Sequence, residues 1–505
     1  MPDAVPNIVV IMTDQQRADL CRREGYPLDT TPFLDRLASR GVWFDRAYTA
    51  MPICVAARIS MLTGRFPSAT RVRTNYNVDD AVFGTDMMRL FRERGYRTAM
   101  YGKNHSHLKP EDVDTWFEAH HVGADDAAED PEHQAFDRYV GRMHMHLSAE
   151  PTPFPVECQL PFRIVTRARR WVESVRESPF LLWMSFPEPH NPSQVPEPYY
   201  DMFPPEALPP MRSGVEALES KSFAYRWCHQ SFEKAFPDYE RNFDRARSNY
   251  HGMLRLIDDQ VKRFVAFLED AGLMDNTILV FLSDHGDFVG EYGLLRKGPE
   301  LPEALTRIPL IFTGPGIGPS AAPSNAHVSI VDLFPTLCEA IGAPIPDGVQ
   351  GRSLWPLLTG REYPPGEFAS VYAEHGFGGL PYDGTEDLDP ARDGRVPADG
   401  EEWGRYDCLN SWTQSGTMRM VRKGDWKLIL DVLGRGQLYN LKDDPAELQN
   451  LFNQPSAAKP QHELTADLAV WMMRVQDPLP MPRANRAGRR YVMKRAPHNY
   501  GSQQD

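Results

Sequence analysis

Short apolar runs rich in β-branched residues alternate with helix-like segments along the first half of the chain, and this alternation is the feature that most constrains the fold. A parallel strand covered on both faces is apolar throughout, and a parallel connection needs a crossover, usually a helix. The apolar runs predict strands at residues 8–12, 42–48, 97–101, 180–186 and 277–282. We therefore expect an α/β fold in which helices flank a sheet on both faces.

Two helices can be placed from their end signals. Thr31 and Pro32 suit the N-cap and the first turn of a helix that stops before Gly41. A longer helix is predicted over residues 244–271, because its apolar residues keep to one face and Gly272 follows its last turn. This helix leads directly into the last of the predicted strands.

The pattern changes after residue 365. Apolar segments at 418–422 and 426–430 flank Lys423-Gly424-Asp425, which is typical of a β-hairpin. The hairpin indicates a smaller antiparallel sheet that follows the α/β part. We therefore predict three units: an α/β domain at residues 1–365, a C-terminal α+β subdomain at 366–480 and an extended tail at 481–505.

The charge balance and the cysteines restrict the classes of function. The 505-residue chain has a net charge of −14, whereas a nucleic-acid partner needs a clustered basic surface. No apolar stretch reaches the length of a membrane span, and the acidic start Met1-Pro2-Asp3 is unlike a secretory signal. Six cysteines lie far apart, without the spacing of a metal site or a disulfide framework. These features predict a cytoplasmic protein with reduced thiols, no nucleic-acid partner and no membrane partner.

Polar clusters follow four of the predicted strands at their carboxyl ends, where ligands bind in open α/β sheets. Asp14 follows the first strand, and Asp284 and His285 follow the last. Either aspartate alone would more simply cap a loop or a helix, but together they favour a hard divalent cation. Gln15 could add a further oxygen ligand.

Cys54 begins a segment that extends to Gly64 and that we predict to be a helix. Residues four apart share one helix face, so Arg58 can hydrogen-bond to a group attached at position 54. The segment therefore places a nucleophile beside a fixed cation.

The segment from Cys54 to Gly64 resembles the sulfatase motif, in which a cysteine is oxidised to formylglycine and an arginine lies four residues later. Ala56 stands where this family usually has proline. Three further segments extend the resemblance to the sulfatase branch of the alkaline phosphatase superfamily: residues 7–15, 101–105 and 283–286. The resemblance covers residue 7 to about residue 450 and implies a hydrolase with an alkaline-phosphatase-like mixed sheet that helices flank on both faces.

The resemblance implies one divalent metal ion, with these ligands: Asp14, Gln15, Asp284, His285 and the modified Cys54. Gln15 and His285 are more similar to choline sulfatases and phosphonate monoester hydrolases, because many sulfatases have aspartate and asparagine at these positions. The implied ion is Ca²⁺, with Mn²⁺ as the alternative.

The resemblance also implies roles for the side chains around the nucleophile. Hydrated formylglycine has two hydroxyl groups on one carbon: one attacks sulfur, and the other, deprotonated by a base, expels sulfate. His105 is the candidate for that base. Lys103, His190 and Lys297 match positions that bind the sulfate oxygens and assist the leaving group, where fixed cations meet developing charge. Asn75 could donate one more hydrogen bond to the anion.

Three functions stay open at this point. The first is a cytoplasmic hydrolase of small-molecule sulfate esters, matured by a formylglycine-generating enzyme and expected to form homo-oligomers. The second is a phosphonate monoester or phosphodiester hydrolase with the same machinery; Lys103 and His105 favour the sulfatase, because the phosphonate enzymes lack this pair. The third is a silent binding protein in which Cys54 stays a thiol.

Overall fold

The structure is a computed structural model that describes residues 5–124, 130–143, 146–236, 238–320, 322–386 and 408–476. The predicted tail at 481–505 lies outside the described residues. Among the helices in the ranges given above, none is both long and apolar enough to cross a membrane.

The secondary structure alternates as the sequence predicts. The strands are β1 (Asn7–Asp14), β2 (Val42–Trp43), β3 (Ala47–Tyr48), β4 (Arg97–Gly102), β5 (Thr115–His120), β6 (Gly123–Ala124), β7 (Phe180–Pro189), β8 (Thr277–Ser283), β9 (Leu310–Thr313), β10 (Val328–Ser329), β11 (Ser370–Gly378), β12 (Gly416–Lys423), β13 (Trp426–Asp431) and β14 (Gly436–Asn440). The α-helices are α1 (Pro32–Ser39), α2 (Cys54–Thr63), α3 (Pro67–Thr70), α4 (Met87–Glu93), α5 (Pro131–Gly141), α6 (Leu160–Val175), α7 (Tyr199–Met202), α8 (Phe223–Ala235), α9 (Tyr239–Asp270), α10 (Glu303–Thr306), α11 (Leu333–Ala340), α12 (Trp355–Leu358), α13 (Ser411–Gln414) and α14 (Ala458–Val475).

One large sheet has the strand order β2-β9-β8-β1-β7-β4-β5-β6. The central strands β8, β1, β7, β4 and β5 are parallel, and antiparallel pairs lie at both edges. β1 is in the middle, where Val10 is paired with Trp183 of β7 and Val280 of β8. The predicted mixed sheet is therefore confirmed.

Helices cover both faces of this sheet. On one face, Val9 and Ile11 of β1 lie in an apolar cluster with Leu34 of α1, Ile164 of α6 and Ile257 of α9. The alternate side chains of β1 lie in a second apolar cluster with α2, α4 and α11. Successive side chains of a strand point to opposite faces, so the short apolar run of β1 supplies both layers.

A second sheet contains four antiparallel strands in the order β11-β12-β13-β14, and the predicted hairpin is its β12–β13 pair. Trp471 of α14 stacks on Tyr372 of β11. Tyr372 also contacts Phe66, so this sheet shares an apolar core with the first part of the chain. The smaller C-terminal sheet is thus confirmed, and a domain division at residue 365 stays a prediction.

The strand predicted at 42–48 is broken in the structure. β2 pairs with β9 in the large sheet, whereas β3 pairs with β10 outside it. The break falls at Asp45 and Arg46, whose charged side chains are half-buried, and Arg46 pairs with Asp425 (3.3 Å). Charged groups that need such partners do not continue an apolar strand.

The cap of α1 also differs from the prediction. The Thr31 side chain makes no capping hydrogen bond. Instead, the carboxylate of Asp258 in α9 accepts hydrogen bonds from Phe33 N (2.8 Å) and Leu34 N (2.8 Å). A helix 225 residues later in the chain therefore satisfies these N–H groups, which no local pattern indicates.

Gly102 ends β4 where this strand leads into Lys103. Its φ angle is +108°, and a Cβ atom here would overlap the carbonyl oxygen of Ser185 in β7. Lys103 N donates a hydrogen bond to this same carbonyl (2.8 Å). Glycine therefore permits the close approach of β4 and β7 that sets the position of Lys103.

We expect Gly102→Ala to destabilise the protein much more than Gly95→Ala. Gly95 has a φ angle of +84°, and no atom lies within 4 Å of the position that an alanine methyl group would take there, so this substitution adds backbone strain of about 1 kcal/mol. Alanine at position 102 also overlaps the β7 backbone, which should cost at least about 1 kcal/mol more. Calorimetric unfolding of both variants makes the comparison, and equal unfolding midpoints would contradict the role of this close approach.

Candidate active site

The parallel strands place four polar segments side by side at one edge of the sheet. β1 ends at Asp14, β8 leads into Asp284, β4 leads into Lys103, and β7 leads into His190. These strands are neighbours in the order β8-β1-β7-β4, so their carboxyl ends lie together. This edge of the sheet is the candidate active site.

Cys54 is the first residue of α2, and its side chain is buried. The N-terminal end of a helix favours negative charge, which suits an anionic group at this position. In the same turn, Asn75 Oδ1 accepts a hydrogen bond from Val55 N (3.2 Å). Asn75 therefore contacts the helix backbone beside Cys54, and its hydrogen bond to a substrate anion stays a prediction.

Arg58 lies one turn into α2, and its guanidinium group is completely buried. It donates hydrogen bonds to Asp284 Oδ2 (2.9 Å) and Asp14 Oδ2 (3.0 Å). Its Nη1 also donates to Lys103 O (2.7 Å) and Ser185 Oγ (2.9 Å). Burial disfavours the charged form, but the two carboxylates raise the pKa of Arg58 and keep it protonated. Arg58 thereby connects the ends of four neighbouring strands.

Asp14, Cys54, Asp284 and His285 form a group whose ligand atoms all lie within 4.8 Å of one another. The Cys54 sulfur is 3.3 Å from His285 Nε2 and 3.7 Å from Asp14 Oδ1. Burial, and then the nearby Asp14 carboxylate, raise the pKa of Asp284. A divalent cation between these two carboxylates would relieve their repulsion. The donor set therefore fits a metal ion.

Gln15 lies beside this group, with a φ angle of +70°. Its Nε2 donates a hydrogen bond to Asp287 Oδ2 (2.5 Å), and its Oε1 accepts one from Lys297 Nζ (3.1 Å). Asp287 thus fixes the orientation of the amide, a role that the sequence did not indicate. The place of Gln15 among the metal ligands stays a prediction.

Two ammonium groups flank the Cys54 sulfur: Lys297 Nζ at 3.2 Å and Lys103 Nζ at 3.8 Å. Burial and Asp14 raise the pKa of the Cys54 thiol, but the two lysines and His285 lower it more, and the net pKa lies well below its usual value. Lys103 also forms an ion pair with Asp14. The site therefore stabilises negative charge at position 54.

His190 lies beside Lys297. Its Nε2 is 3.0 Å from Lys297 Nζ, and its Nδ1 is 2.7 Å from Asn191 O. An ammonium group only donates and a carbonyl only accepts, so His190 is a neutral imidazole with its proton on Nδ1. Burial, followed by nearby cationic groups, lowers the pKa of His190 well below its usual value, which agrees with this assignment.

His105 lies in the loop after β4, with a φ angle of +41°. Its ring lies near Cys54. Burial, and then the Lys103 charge, lower the pKa of His105, so the ring is neutral near pH 7. A neutral imidazole near position 54 is able to accept a proton there.

His121 is a residue of this site that the sequence did not indicate. It directly follows β5, the parallel neighbour of β4, and therefore reaches the same edge of the sheet. Its Nε2 is 2.7 Å from Lys103 Nζ, and its ring stacks on His190 with 3.8 Å between centroids. The position of His121 directly after a strand could have indicated it. However, β5 is half-exposed and polar at several positions, so a search for apolar runs does not find this strand.

Known proteins are similar to this chain in sequence and in fold. Residues 6–343 match the family model described as Sulfatase. An arylsulfatase from Clostridium perfringens is 29% identical over 89% of this chain and 90% of its own length, and a choline-sulfatase from Rhizobium meliloti is 27% identical over 92% and 86%. The crystal structure of a phosphonate monoester hydrolase from Agrobacterium radiobacter has a TM-score of 0.73 at 22% identity, covering 93% of this chain and 96% of that one. This last likeness concerns the fold alone.

The family match covers more than half of the chain and spans every site residue from Asp14 to Lys297. The large mixed sheet with its flanking helices is the alkaline-phosphatase-like fold that these neighbours share, as predicted. The chain therefore belongs to the sulfatase family, a family of sulfuric ester hydrolases.

Proposed function

We propose that this protein hydrolyses small-molecule sulfate monoesters, with formylglycine made from Cys54 as the nucleophile and one divalent cation as the cofactor. The observation that carries the proposal is the position of Cys54 at the start of α2, against three metal-ligating side chains and between two ammonium groups. A thiolate that captured a sulfuryl group would need a second nucleophile for release, whereas hydrated formylglycine supplies a second hydroxyl group.

The side chains of the site have distinct tasks in this proposal. Arg58 holds the two metal-ligating carboxylates in place through its hydrogen bonds. Lys103 and Lys297 bind the sulfate oxygens, where negative charge grows in the transition state. His105 accepts a proton from the group at position 54. His190 accepts a hydrogen bond from Lys297, and we assign to this pair the protonation of the leaving oxygen.

We assign the metal site to Ca²⁺, with Mn²⁺ as the alternative. Two buried carboxylates suit a hard cation, and the amide of Gln15 could add a neutral oxygen. The imidazole of His285 is the ligand that favours Mn²⁺. A bound cation would acidify and orient the nucleophilic group at position 54.

A phosphonate monoester or phosphodiester hydrolase is the second candidate. Gln15 and His285 favour it, because these two residues are more similar to phosphonate monoester hydrolases than to many sulfatases. Lys103 and His105 support the sulfate ester instead, because the phosphonate enzymes lack this pair. A silent binding protein with an unmodified thiol is the third candidate.

The maturation and location of the protein belong to the same proposal. Formylglycine requires a formylglycine-generating enzyme as a partner during maturation. None of the six cysteines, all of which lie within the described residues, forms a disulfide, which supports a reducing, cytoplasmic location. Homo-oligomer formation stays a prediction.

Replacement of Cys54 by alanine should lower kcat for an aryl sulfate by at least about a thousandfold, because it removes the nucleophile. Cys158→Ala is the matched control: it removes another buried free thiol that lies in the opposite apolar layer, and it should leave turnover unchanged. Mass spectrometry of the peptide that contains residue 54 checks the chemistry, because conversion lowers the peptide mass and prevents alkylation. An active protein with an alkylatable thiol would refute the formylglycine proposal.

Three esters with one leaving group separate the candidate activities: para-nitrophenyl sulfate, bis-para-nitrophenyl phosphate and para-nitrophenyl phenylphosphonate. We expect kcat/KM for the sulfate to exceed the other two by at least about tenfold, because this chain has the Lys103 and His105 pair that the phosphonate enzymes lack. Release of para-nitrophenolate measures all three reactions. A higher value for either phosphorus ester would establish the second candidate instead.

Removal of the metal ion with a chelator should lower the unfolding midpoint and abolish turnover. A ligand at a hundred times its Kd stabilises the folded state by about 2.7 kcal/mol, and the repulsion between Asp14 and Asp284 returns without it. Asp284→Asn should lose the response to Ca²⁺ and Mn²⁺, whereas Asp275→Asn, which changes an exposed carboxylate, should retain it. An unfolding midpoint that no divalent cation changes would contradict the metal site.

A further inference from the structure

The Lys103 ammonium group has contacts in three directions. It forms an ion pair with Asp14, it lies 2.7 Å from His121 Nε2, and it lies 3.8 Å from the Cys54 sulfur. An ammonium group has three N–H bonds in a fixed tetrahedral arrangement. Two of these bonds are therefore anchored by protein acceptors, and the anchors determine where the third one is directed.

The contact with Lys103 determines the protonation of His121. Lys103 only donates, so His121 Nε2 is an acceptor and the ring proton is on Nδ1. Burial, and then the Lys103 charge, lower the pKa of His121 well below its usual value, in agreement with a neutral ring. His121 thus offers a lone pair to Lys103 without adding a second positive charge.

Stacking holds the His121 ring in this orientation. The ring lies against His190, with 3.8 Å between centroids and 24° between ring planes. His190 in turn accepts a hydrogen bond from Lys297 (3.0 Å), so two stacked imidazoles connect the two ammonium groups of the site. Within the described part of the chain, His121 Nδ1 is buried and has no hydrogen-bond partner. Among the described residues, the contact with Lys103 is therefore the one hydrogen bond of the His121 ring.

We propose that His121 is a positioning residue, which directs the third N–H bond of Lys103 at the reacting group on position 54. The inference rests on the proposed function, because it assigns His121 to the same reaction. Without an acceptor at Nε2, the ammonium group is anchored by Asp14 alone and can rotate away from the nucleophile. Charge on the sulfate oxygens grows in the transition state, so the loss falls mainly on kcat rather than on KM.

Variants at position 121 distinguish the effect of the hydrogen-bond acceptor from the effect of the aromatic ring. His121→Phe keeps an aromatic ring for the stack on His190 but removes the acceptor. His121→Gln places an acceptor oxygen about where Nε2 stands, whereas the shorter His121→Asn does not reach that point. We expect Phe and Asn to lower kcat by about tenfold or more with KM changed less than about threefold, and Gln to restore kcat to within about threefold.

A double-mutant cycle tests whether His121 acts through Lys103. In a Lys103→Ala background, His121→Phe should lower kcat by less than about twofold, because the group that it positions is already absent. His120→Phe, at the more exposed neighbouring position, is the control and should leave kcat unchanged in the wild-type background. The unfolding midpoints of all variants show whether a loss of kcat comes from lower stability alone. If the Phe variant does not fold, the Asn variant takes its place in the comparison with Gln.

A failure of the positioning role can be distinguished from a failure of the proposed function. Turnover of para-nitrophenyl sulfate by the wild-type protein tests the proposed function, whereas ratios between variants on whichever ester is preferred test the role of His121. Equal kcat values for the Gln and Phe variants, or a full further loss in the Lys103→Ala background, would overturn the positioning role. A KM effect without a kcat effect would also overturn it.

Discussion

The buried ion pairs of Arg58 are the interaction on which the rest of the site depends. A completely buried guanidinium is costly unless its charge and its donors are matched. Arg58 finds carboxylates on β1 and after β8, a carbonyl after β4 and a hydroxyl on β7. These partners come from four separate strands, so the charge of Arg58 is satisfied only when the sheet and α2 are assembled in this one arrangement.

The same arrangement creates a locally positive site in an acidic protein. The chain has a net charge of −14, which repels an anionic ester at long range. Lys103 and Lys297 lie within 4 Å of the Cys54 sulfur, where burial shields their charges from solvent. Charges in a buried site are screened much less than surface charges, so attraction dominates once the anion has entered. Binding of a sulfate ester therefore depends on short-range geometry rather than on long-range steering.

Burial also gives the lysines and the histidines of the site different charge states. His105, His121 and His190 have lowered pKa values because burial and neighbouring cations disfavour their charged forms. Neutral imidazoles can accept hydrogen bonds from the lysines and protons from the reacting group. The positive charge stays on Lys103 and Lys297, and the rings orient it. A site with charged histidines would lose the acceptors for the lysines, and His105 could not act as the proposed base.

The sequence by itself determined the α/β class and most of the polar groups at the sheet edge. An apolar run that stops at a polar residue marks the end of a buried strand, and the i, i+4 spacing of Cys54 and Arg58 is a local property of one helix. The order of the strands, and with it the pairing of β4 with β5 and of β1 with β8, was decided only by the tertiary structure. His121 reaches Lys103 because β4 and β5 pair in parallel, whereas Asp287 and Asp258 contact partners more than 200 residues away in the sequence. The pattern of apolar and polar side chains shows which face of a helix or strand is buried, but it does not show which other element packs against that face. The contacts that orient the site could therefore be found only in the folded chain.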